Sequence, residues 1–180
     1  MYIPFALVGL ILLVIVGFSL RNVFSAKSVS SSASGKVSLE KAIKTEDLNK
    51  TFAFSLRDQT GKEVSKVKYL LKSAEIRDEI LVKGQKAYAV EGRTFLILNL
   101  KITNSYEKPV QINARDYVRM TINNNPEKIA PEIHSDPAEV QAISTKETRL
   151  GFAINKTDKN LVLQIGEVKG SKETIKLNIQ

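Results

Sequence analysis

Hydrophobic and polar residues alternate along most of the chain beyond residue 51. A period of two is typical of β-strands that bury one face. The alternating or short apolar runs are Phe52–Leu56, Val67–Leu71, Ile80–Val82, Ala87–Val90, Phe95–Ile102, Val110–Ile112, Tyr117–Ile122, Thr148–Ile154, Leu161–Ile165 and Ile175–Ile179. Turn-forming residues around Gly61 and Gly84 separate the first of these runs. The pattern predicts an all-β protein with about eight or nine short antiparallel strands in a sandwich or barrel.

The run Phe95–Ile102 is the strongest predicted strand. It is apolar on both faces at its start and alternates at its end, as a strand does when only part of it is covered on both sides. We expect the strand around Phe152 to face it across the sandwich. One buried layer is therefore predicted to hold four side chains: Phe95, Ile97, Phe152 and Ile154.

The N-terminal part of the chain has a different character. Tyr2 to Leu20 form nineteen residues without a charge, which as an α-helix would extend roughly 28 Å, close to the thickness of the hydrocarbon core of a bilayer. No basic residue precedes Arg21, and the apolar stretch is longer than the roughly 7–15 residues of a signal-peptide core. Residues 1–24 are therefore predicted to be an uncleaved transmembrane anchor.

A serine-rich stretch follows the predicted anchor. Ser25 to Ser38 have almost no large apolar side chains, which is typical of a flexible linker. Leu39 to Leu48 place apolar residues at helical spacing and predict a short amphipathic helix. We thus divide the chain into an anchor (1–24), a linker with a short helix (25–50) and a β-sandwich domain (51–180).

The charge of the chain is positive but dispersed. Its 27 Lys and Arg residues exceed its 19 Asp and Glu residues, giving a net charge of +8. The lysines are scattered singly and are not interleaved with aromatic residues, so nucleic acid is not an expected partner. The expected partners are the membrane itself, envelope proteins or an anionic cell-wall polymer. The chain has no cysteine, which excludes disulfides and thiolate chemistry.

Candidate chemistry is sparse. The proline-rich segment Pro126–Val140, predicted to be a long surface loop, holds the only histidine, His134, with three acidic residues nearby: Glu132, Asp136 and Glu139. One imidazole with carboxylates is a weak metal signal, because such sites use several well-placed ligands. The adjacent acids Asp78 and Glu79 form another carboxylate pair. We assign no catalytic, cofactor-binding or metal-binding residues and predict that the protein is not an enzyme.

The most plausible working surface is an open strand edge, which can recruit an extended peptide by main-chain pairing. Ser65–Ser73 is one candidate, although its lysines would equally block such pairing. Asn49 and Asn155 each begin a glycosylation sequon, which matters only if the host glycosylates surface proteins.

Five features spread over the second half of the chain resemble a known family. They are a long strand ending in Asn (Phe95–Asn104), Pro109-Val110, Asp116-Tyr117, the Pro126–Val140 loop and a strand with Phe (Ile143–Phe152). Together they resemble the DUF4352-type bacterial and archaeal cell-surface proteins, which have a telokin-like, immunoglobulin-like domain. The chain departs from that pattern at Thr145-Lys146-Glu147, which replaces a Pro-Gly turn.

This resemblance implies an immunoglobulin-like sandwich on the extracytoplasmic side of the cell membrane, held by one helix, with no catalytic residues to transfer. The flanking charges indicate the opposite orientation, because Arg21, Lys27 and Lys36 all follow the predicted helix. We follow the resemblance, since long domains cross membranes largely regardless of charge. A binding or structural module is the first hypothesis. A subunit of a membrane or envelope complex and a metal-dependent surface enzyme remain alternatives.

Overall fold

A computed structural model describes residues 38–179. The predicted transmembrane anchor and the serine-rich part of the linker lie outside these residues. Within residues 38–179, the chain contains no helix that is both long enough and apolar enough to span a membrane. The described residues belong to one compact unit, Val37–Gln180.

Eleven strands make up almost all of the regular structure of residues 38–179. They are β1 (Lys44–Arg57), β2 (Glu63–Arg77), β3 (Glu79–Val82), β4 (Gln85–Tyr88), β5 (Arg93–Asn104), β6 (Val110–Ile112), β7 (Val118–Thr121), β8 (Ala138–Val140), β9 (Ser144–Asn155), β10 (Val162–Ile165) and β11 (Glu173–Lys176). One turn of 3-10 helix, Ala114–Tyr117, precedes β7. The turn between β1 and β2 is closed by Asp58, whose carboxylate accepts the N–H groups of Thr60 and Lys62.

The strands form two main antiparallel sheets. One has the order β1-β2-β5-β9 and the other the order β11-β10-β7, while β3-β4 and β6-β8 are two-stranded pairs. Leu98 and Phe152 of the first sheet share one hydrophobic core with Met120 and Leu163 of the second. Two sheets that bury their facing sides in one core form a sandwich. The predicted all-β sandwich architecture is confirmed.

The structure differs from the prediction in which side chains of β5 face the core, here called the phase of β5. Phe152 lies opposite Leu96, and both belong to the core. Phe95 and Ile97 therefore point to the outer face of the sheet, because successive side chains of a strand alternate. Ile97 is still only 2% exposed. A Cβ atom added at Gly151 would lie 2.7 Å from Ile97 Cδ1 and 3.0 Å from Ile133 Cβ, so these residues form a second, outer packing site. The prediction that Phe95 and Ile97 share the Phe152 layer was wrong. The expectation that the Phe152 strand faces β5 across the sandwich was also wrong, because β5 and β9 pair as neighbours in one sheet.

The predicted helix over Leu39–Leu48 was also wrong. Residues 38–42 have no regular structure, and β1 starts at Lys44, which pairs with Ile76 of β2. A ten-residue helix is marginal in water, whereas pairing satisfies the backbone along the available edge of β2. The sheet thus begins within the segment that the sequence assigned to the linker.

The Pro126–Val140 segment spans one side of the sandwich. Ile129 pairs with Met120 of β7, and Ile133 pairs with Gly151 of β9. The segment therefore connects the edge strand of one sheet with the edge strand of the other. It ends in β8, which pairs with β6. The predicted loop is irregular over most of its length, as expected, but its backbone is bound to both sheets.

Candidate functional site

Two concave surfaces of the described residues are candidate binding sites. The first, here called the β9 edge, comprises the outward main-chain groups of Thr145, Glu147 and Arg149. Strand β9 is the last strand of its sheet and pairs with β5 on one side only. On its other side, Gly151 N–H donates to Ile133 O at 2.7 Å, and Ile133 N–H donates to Gly151 O at 3.1 Å.

This exchange between Gly151 and Ile133 identifies the outward groups of β9. In an antiparallel pair, residues whose N–H and C=O point toward the partner alternate with residues that point away. Gly151 points away from β5, so Arg149, Glu147 and Thr145 do as well. The hydroxyls of Thr145 and Thr103 lie 3.0 Å apart, consistent with the closer side chains of a pair that makes no main-chain hydrogen bond. Three N–H and three C=O groups therefore face away from the sheet.

A groove of about 590 Å³ lies beside the β9 edge. Its walls include Asn99, Arg149 and Lys146 on the sheet side and Ser135, Pro137 and Glu139 on the opposite side. A volume of this size is within the roughly 300–1,000 Å³ typical of ligand pockets. The groove combines apolar surface with charged side chains of both signs, which suits a main chain with mixed side chains better than an apolar small molecule.

The strand that the sequence proposed for peptide recruitment is not an edge. Ser65–Ser73 lies in β2, which pairs with β1 on one side and with β5 on the other. Its main chain is therefore already used by the sheet. An open edge is found instead at β9, which the sequence reasoning did not single out. The free edges of a sheet depend on strand order, which local periodicity does not reveal.

Each imidazole nitrogen of His134 lies next to an N–H group of another residue. Arg115 Nη1 lies 2.9 Å from Nε2, and the Asp136 N–H lies 3.2 Å from Nδ1. The Asp136 carboxylate accepts the N–H groups of Ala114 and Arg115, each at 2.9 Å. Its oxygens thus hold the start of the 3-10 turn, and a guanidinium stands where a cation would approach the imidazole. Among residues 38–179 no three His, Asp or Glu side chains gather in a metal-binding group.

Asp78 and Glu79 bind different partners. The Asp78 carboxylate pairs with Lys156 at 2.8 Å, and this contact lowers the pKa of Asp78. Glu79 is 8% exposed, accepts the N–H of Glu40 and pairs with Lys86 at 3.1 Å. The hydrogen bond from Glu40 and the Lys86 ammonium lower the pKa of Glu79. Each carboxylate is engaged in a separate structural contact, so the two do not form a general acid–base pair.

The second surface, here called the end cleft, opens at one end of the sandwich and has a volume of about 370 Å³. Five apolar side chains line it, and five charged side chains surround them. The apolar ones are Ile43, Ile76, Ile154, Leu161 and Ile179, and the charged ones are Lys44, Asp78, Lys156, Asp158 and Lys159. The sequence reasoning missed this cleft, because its residues come from five separate stretches of the chain.

The acidic groups of the end cleft are already bound. Asp78 pairs with Lys156. Burial raises the pKa of Asp158, but hydrogen bonds from the Asn155 N–H and from the side chains of Asn123 and Asn155 outweigh that effect and lower it. Both carboxylates are thus held in the charged form. No ion pair within residues 38–179 includes Lys44 or Lys159.

The two sequons lie at exposed positions. Asn49 occupies the bulge of β1 with a φ of 49°, and Asn155 is the last residue of β9. The side chain of Asn155 approaches Asp158 Oδ1 at 3.4 Å. Exposure makes both asparagines accessible, while their use as acceptors stays a prediction.

The chain matches no protein-family model. It is 30% identical over 109 residues to the probable peptide export ATP-binding protein YydI of Bacillus subtilis (strain 168), covering 54% of this chain and 52% of that protein. The chain therefore spans about half the length of this curated relative. No two of its nine glycines are five residues apart, so the chain has no P-loop of the type G-x-x-x-x-G-K-[ST].

Two solved structures are similar to part of this chain. An uncharacterized β-sandwich protein from Clostridium difficile 630 has a TM-score of 0.49 at 16% identity, covering 62% of this chain and 85% of that one. A conserved hypothetical protein from Bacillus anthracis has a TM-score of 0.48 at 17% identity, covering 74% of this chain and 98% of that one.

Proposed function

We propose that this protein is a membrane-anchored, extracytoplasmic β-sandwich of the immunoglobulin-like, DUF4352 type that binds extended peptide segments and has no catalytic activity. The observation that carries the proposal is the β9 edge, where the outward main-chain groups of Thr145, Glu147 and Arg149 border a groove of about 590 Å³. An added strand would pair with these groups and place alternate side chains in the groove.

The bridge between Ile133 and Gly151 supports this proposal. It is one rung of antiparallel pairing on the same edge, supplied by the chain itself. Strand β9 is therefore oriented to accept a partner there. The other edge strand of this sheet, β1, is less suitable. A bulge between Asp47 and Lys50 interrupts it, and the Glu46 carboxylate binds the N–H of Asn178 beside it.

The test uses substitutions at Glu147 in the full-length chain held in lipid nanodiscs. Glu147→Pro removes one outward N–H and adds a ring on the edge, while the ladder to β5 keeps its hydrogen bonds. Glu147→Ala is the matched control, because it removes the same side chain and keeps the N–H. The probe is a phage-displayed library of random dodecapeptides selected on the wild-type chain.

Selected peptides are expected to bind the wild type and Glu147→Ala alike and to bind Glu147→Pro at least about tenfold more weakly, because pairing is lost at the centre of the edge. An unchanged thermal midpoint of the proline variant will show that its fold is intact. If the selected peptides bind both variants equally well, the β9 edge is not the binding site.

A second candidate function is a non-catalytic subunit of a membrane complex. The likeness to a probable peptide export ATP-binding protein favours it, because the stretch of similarity covers about half of each chain. Such a subunit would accompany an export assembly and bind the peptide without binding nucleotide. Co-purification from membranes solubilised in mild detergent tests this function. Recovery of the chain without other membrane proteins contradicts it.

A further inference from the structure

We propose that the end cleft binds a single-chain amphiphile with one negative charge, of the medium-chain fatty-acid type. The hydrocarbon chain occupies the apolar floor, and the carboxylate pairs with Lys44 and Lys159 at the rim. This site is separate from the β9 edge and does not depend on the proposed peptide binding.

The floor of the cleft is continuous with the core of the sandwich. Ile154, Leu161 and Ile179 line the cleft and also belong to the buried core, each no more than 4% exposed. The cleft therefore opens between the two sheets rather than on the outside of one. A hydrocarbon chain placed there contacts side chains that are already desolvated, so its transfer from water is favourable.

Ile43 stands at the mouth of the cleft with 57% of its surface exposed. Its main chain is fixed, because its N–H donates to Ile76 O at 2.8 Å. Its side chain is thus an exposed apolar wall on a well-anchored backbone. A hydrocarbon that covers this side chain gains the free energy of burying its apolar surface, which water or a polar ligand does not provide.

The charges at the rim select the head group. The Lys156 ammonium is neutralised by Asp78, and the Asp158 carboxylate is held by its hydrogen bonds. Lys44 and Lys159 are left with positive charge and no acidic partner in residues 38–179. A monoanionic head pairs with them. A cationic head would instead meet two ammonium groups and be repelled.

Four of the five apolar lining residues are isoleucines, so binding in the cleft can be followed by the resonances of their methyl groups. The experiment labels the isoleucine δ1-methyl groups of the full-length chain with carbon-13 in zwitterionic nanodiscs and adds sodium octanoate. We expect saturable shifts of the methyl resonances of Ile43, Ile76, Ile154 and Ile179. The methyl groups of Ile97 and Ile133, packed on the outer face of the four-stranded sheet, are internal controls.

The head group is tested with matched probes and variants. Octyltrimethylammonium should not bind, and octanol should bind about fivefold more weakly than octanoate. The double variant Lys44→Gln/Lys159→Gln should weaken octanoate about fivefold, as expected for two solvent-exposed ion pairs. Lys101→Gln/Lys169→Gln is the control, because these exposed lysines lie outside the cleft.

Three results would overturn the proposal. The first is the absence of saturable shifts in the cleft methyl groups. The second is a uniform shift of all isoleucines, which would indicate partition into the bilayer. The third is equal binding of octanoate by the wild type and the Lys44/Lys159 variant, since the charged rim would then have no role.

Discussion

The side-chain amide of Asn104 donates a hydrogen bond to the main-chain carbonyl of Gln141 at 3.0 Å. The same nitrogen lies 2.8 Å from the carbonyl of Lys108, and Asn104 Oδ1 accepts the N–H of Tyr106 at 2.9 Å. Asn104 is fully buried. One side chain therefore joins the end of β5 to the turn after it and to the turn before β9, next to the open β9 edge.

Asn104→Ala should destabilise the domain by about 2–4 kcal/mol. The substitution removes the amide donor of the buried Val140 carbonyl and the partners of the partly buried Tyr106 N–H and Lys108 carbonyl, and a buried group left without a partner costs about 1–3 kcal/mol. Asn99→Ala is the control, because Asn99 is partly exposed and donates to side chains rather than to turns. Urea unfolding of both variants measures the difference, and an equal loss of stability would contradict this role of Asn104.

Gly151→Ala should cost about 1–3 kcal/mol through crowding. Its Cβ would lie 2.7 Å from Ile97 Cδ1 and 3.0 Å from Ile133 Cβ. Ile97→Val removes the first of these atoms, so the double variant should recover part of the loss relative to the sum of the two single variants. Thermal unfolding of the four proteins forms a double-mutant cycle. Strict additivity would show that Gly151 and Ile97 do not share one packing site.

Phe152→Ala should destabilise the domain by roughly 3–5 kcal/mol, because the ring is buried between the sheets and its removal leaves a cavity. His134→Ala should cost about half a kcal/mol or less, since the residue lies on the surface segment away from the core. Thermal melts of both variants test the pair. A larger effect at His134, or a rise in melting temperature with added zinc, would favour the metal-site alternative.

Stability should fall in acid through Glu79. Its pKa in the folded state is lowered by the Glu40 N–H and by Lys86. The charged carboxylate therefore stabilises the fold above the unfolded pKa of about 4.3, and this contribution disappears as the pH falls through the lower folded value. The melting-temperature difference between wild type and Glu79→Gln should be largest at neutral pH and shrink in acid.

The matched control for Glu79 is Glu132→Gln, on the exposed segment along the β9 side. This variant changes the net charge equally but removes no contact with Glu40 or Lys86. If the melting-temperature difference between wild type and Glu79→Gln stays constant from neutral to acidic pH, the Glu79 carboxylate does not stabilise the start of the β3-β4 hairpin.

Protease shaving of intact cells tests the orientation of the domain. With the domain on the extracytoplasmic side, added protease should degrade it without lysis of the cells. A cytoplasmic marker protein that stays intact is the control. Protection of the domain until the membrane is broken would place it in the cytoplasm, in agreement with the charges of Arg21, Lys27 and Lys36.

The sequence by itself determined the all-β class, most strand positions and several turns. These features are local. Alternation over Val67–Leu71 or Leu161–Ile165 follows from burying one face of a strand, and Gly84 marks the turn of the β3-β4 hairpin because its φ is 80°. The sequence also shows directly that cysteine and the glycine spacing of a P-loop are absent, because disulfides and P-loops each require specific residues.

Only the tertiary structure decided the phase of β5, the strand character of Lys44–Leu48 and the position of the free edge. Phe95, Leu96, Ile97 and Leu98 are all apolar, so periodicity cannot tell which pair faces the core, and pairing with β9 makes that choice. Strand order buries β2 and exposes β9. The end cleft likewise joins Ile43 to Ile179, because binding surfaces form where distant segments meet in space.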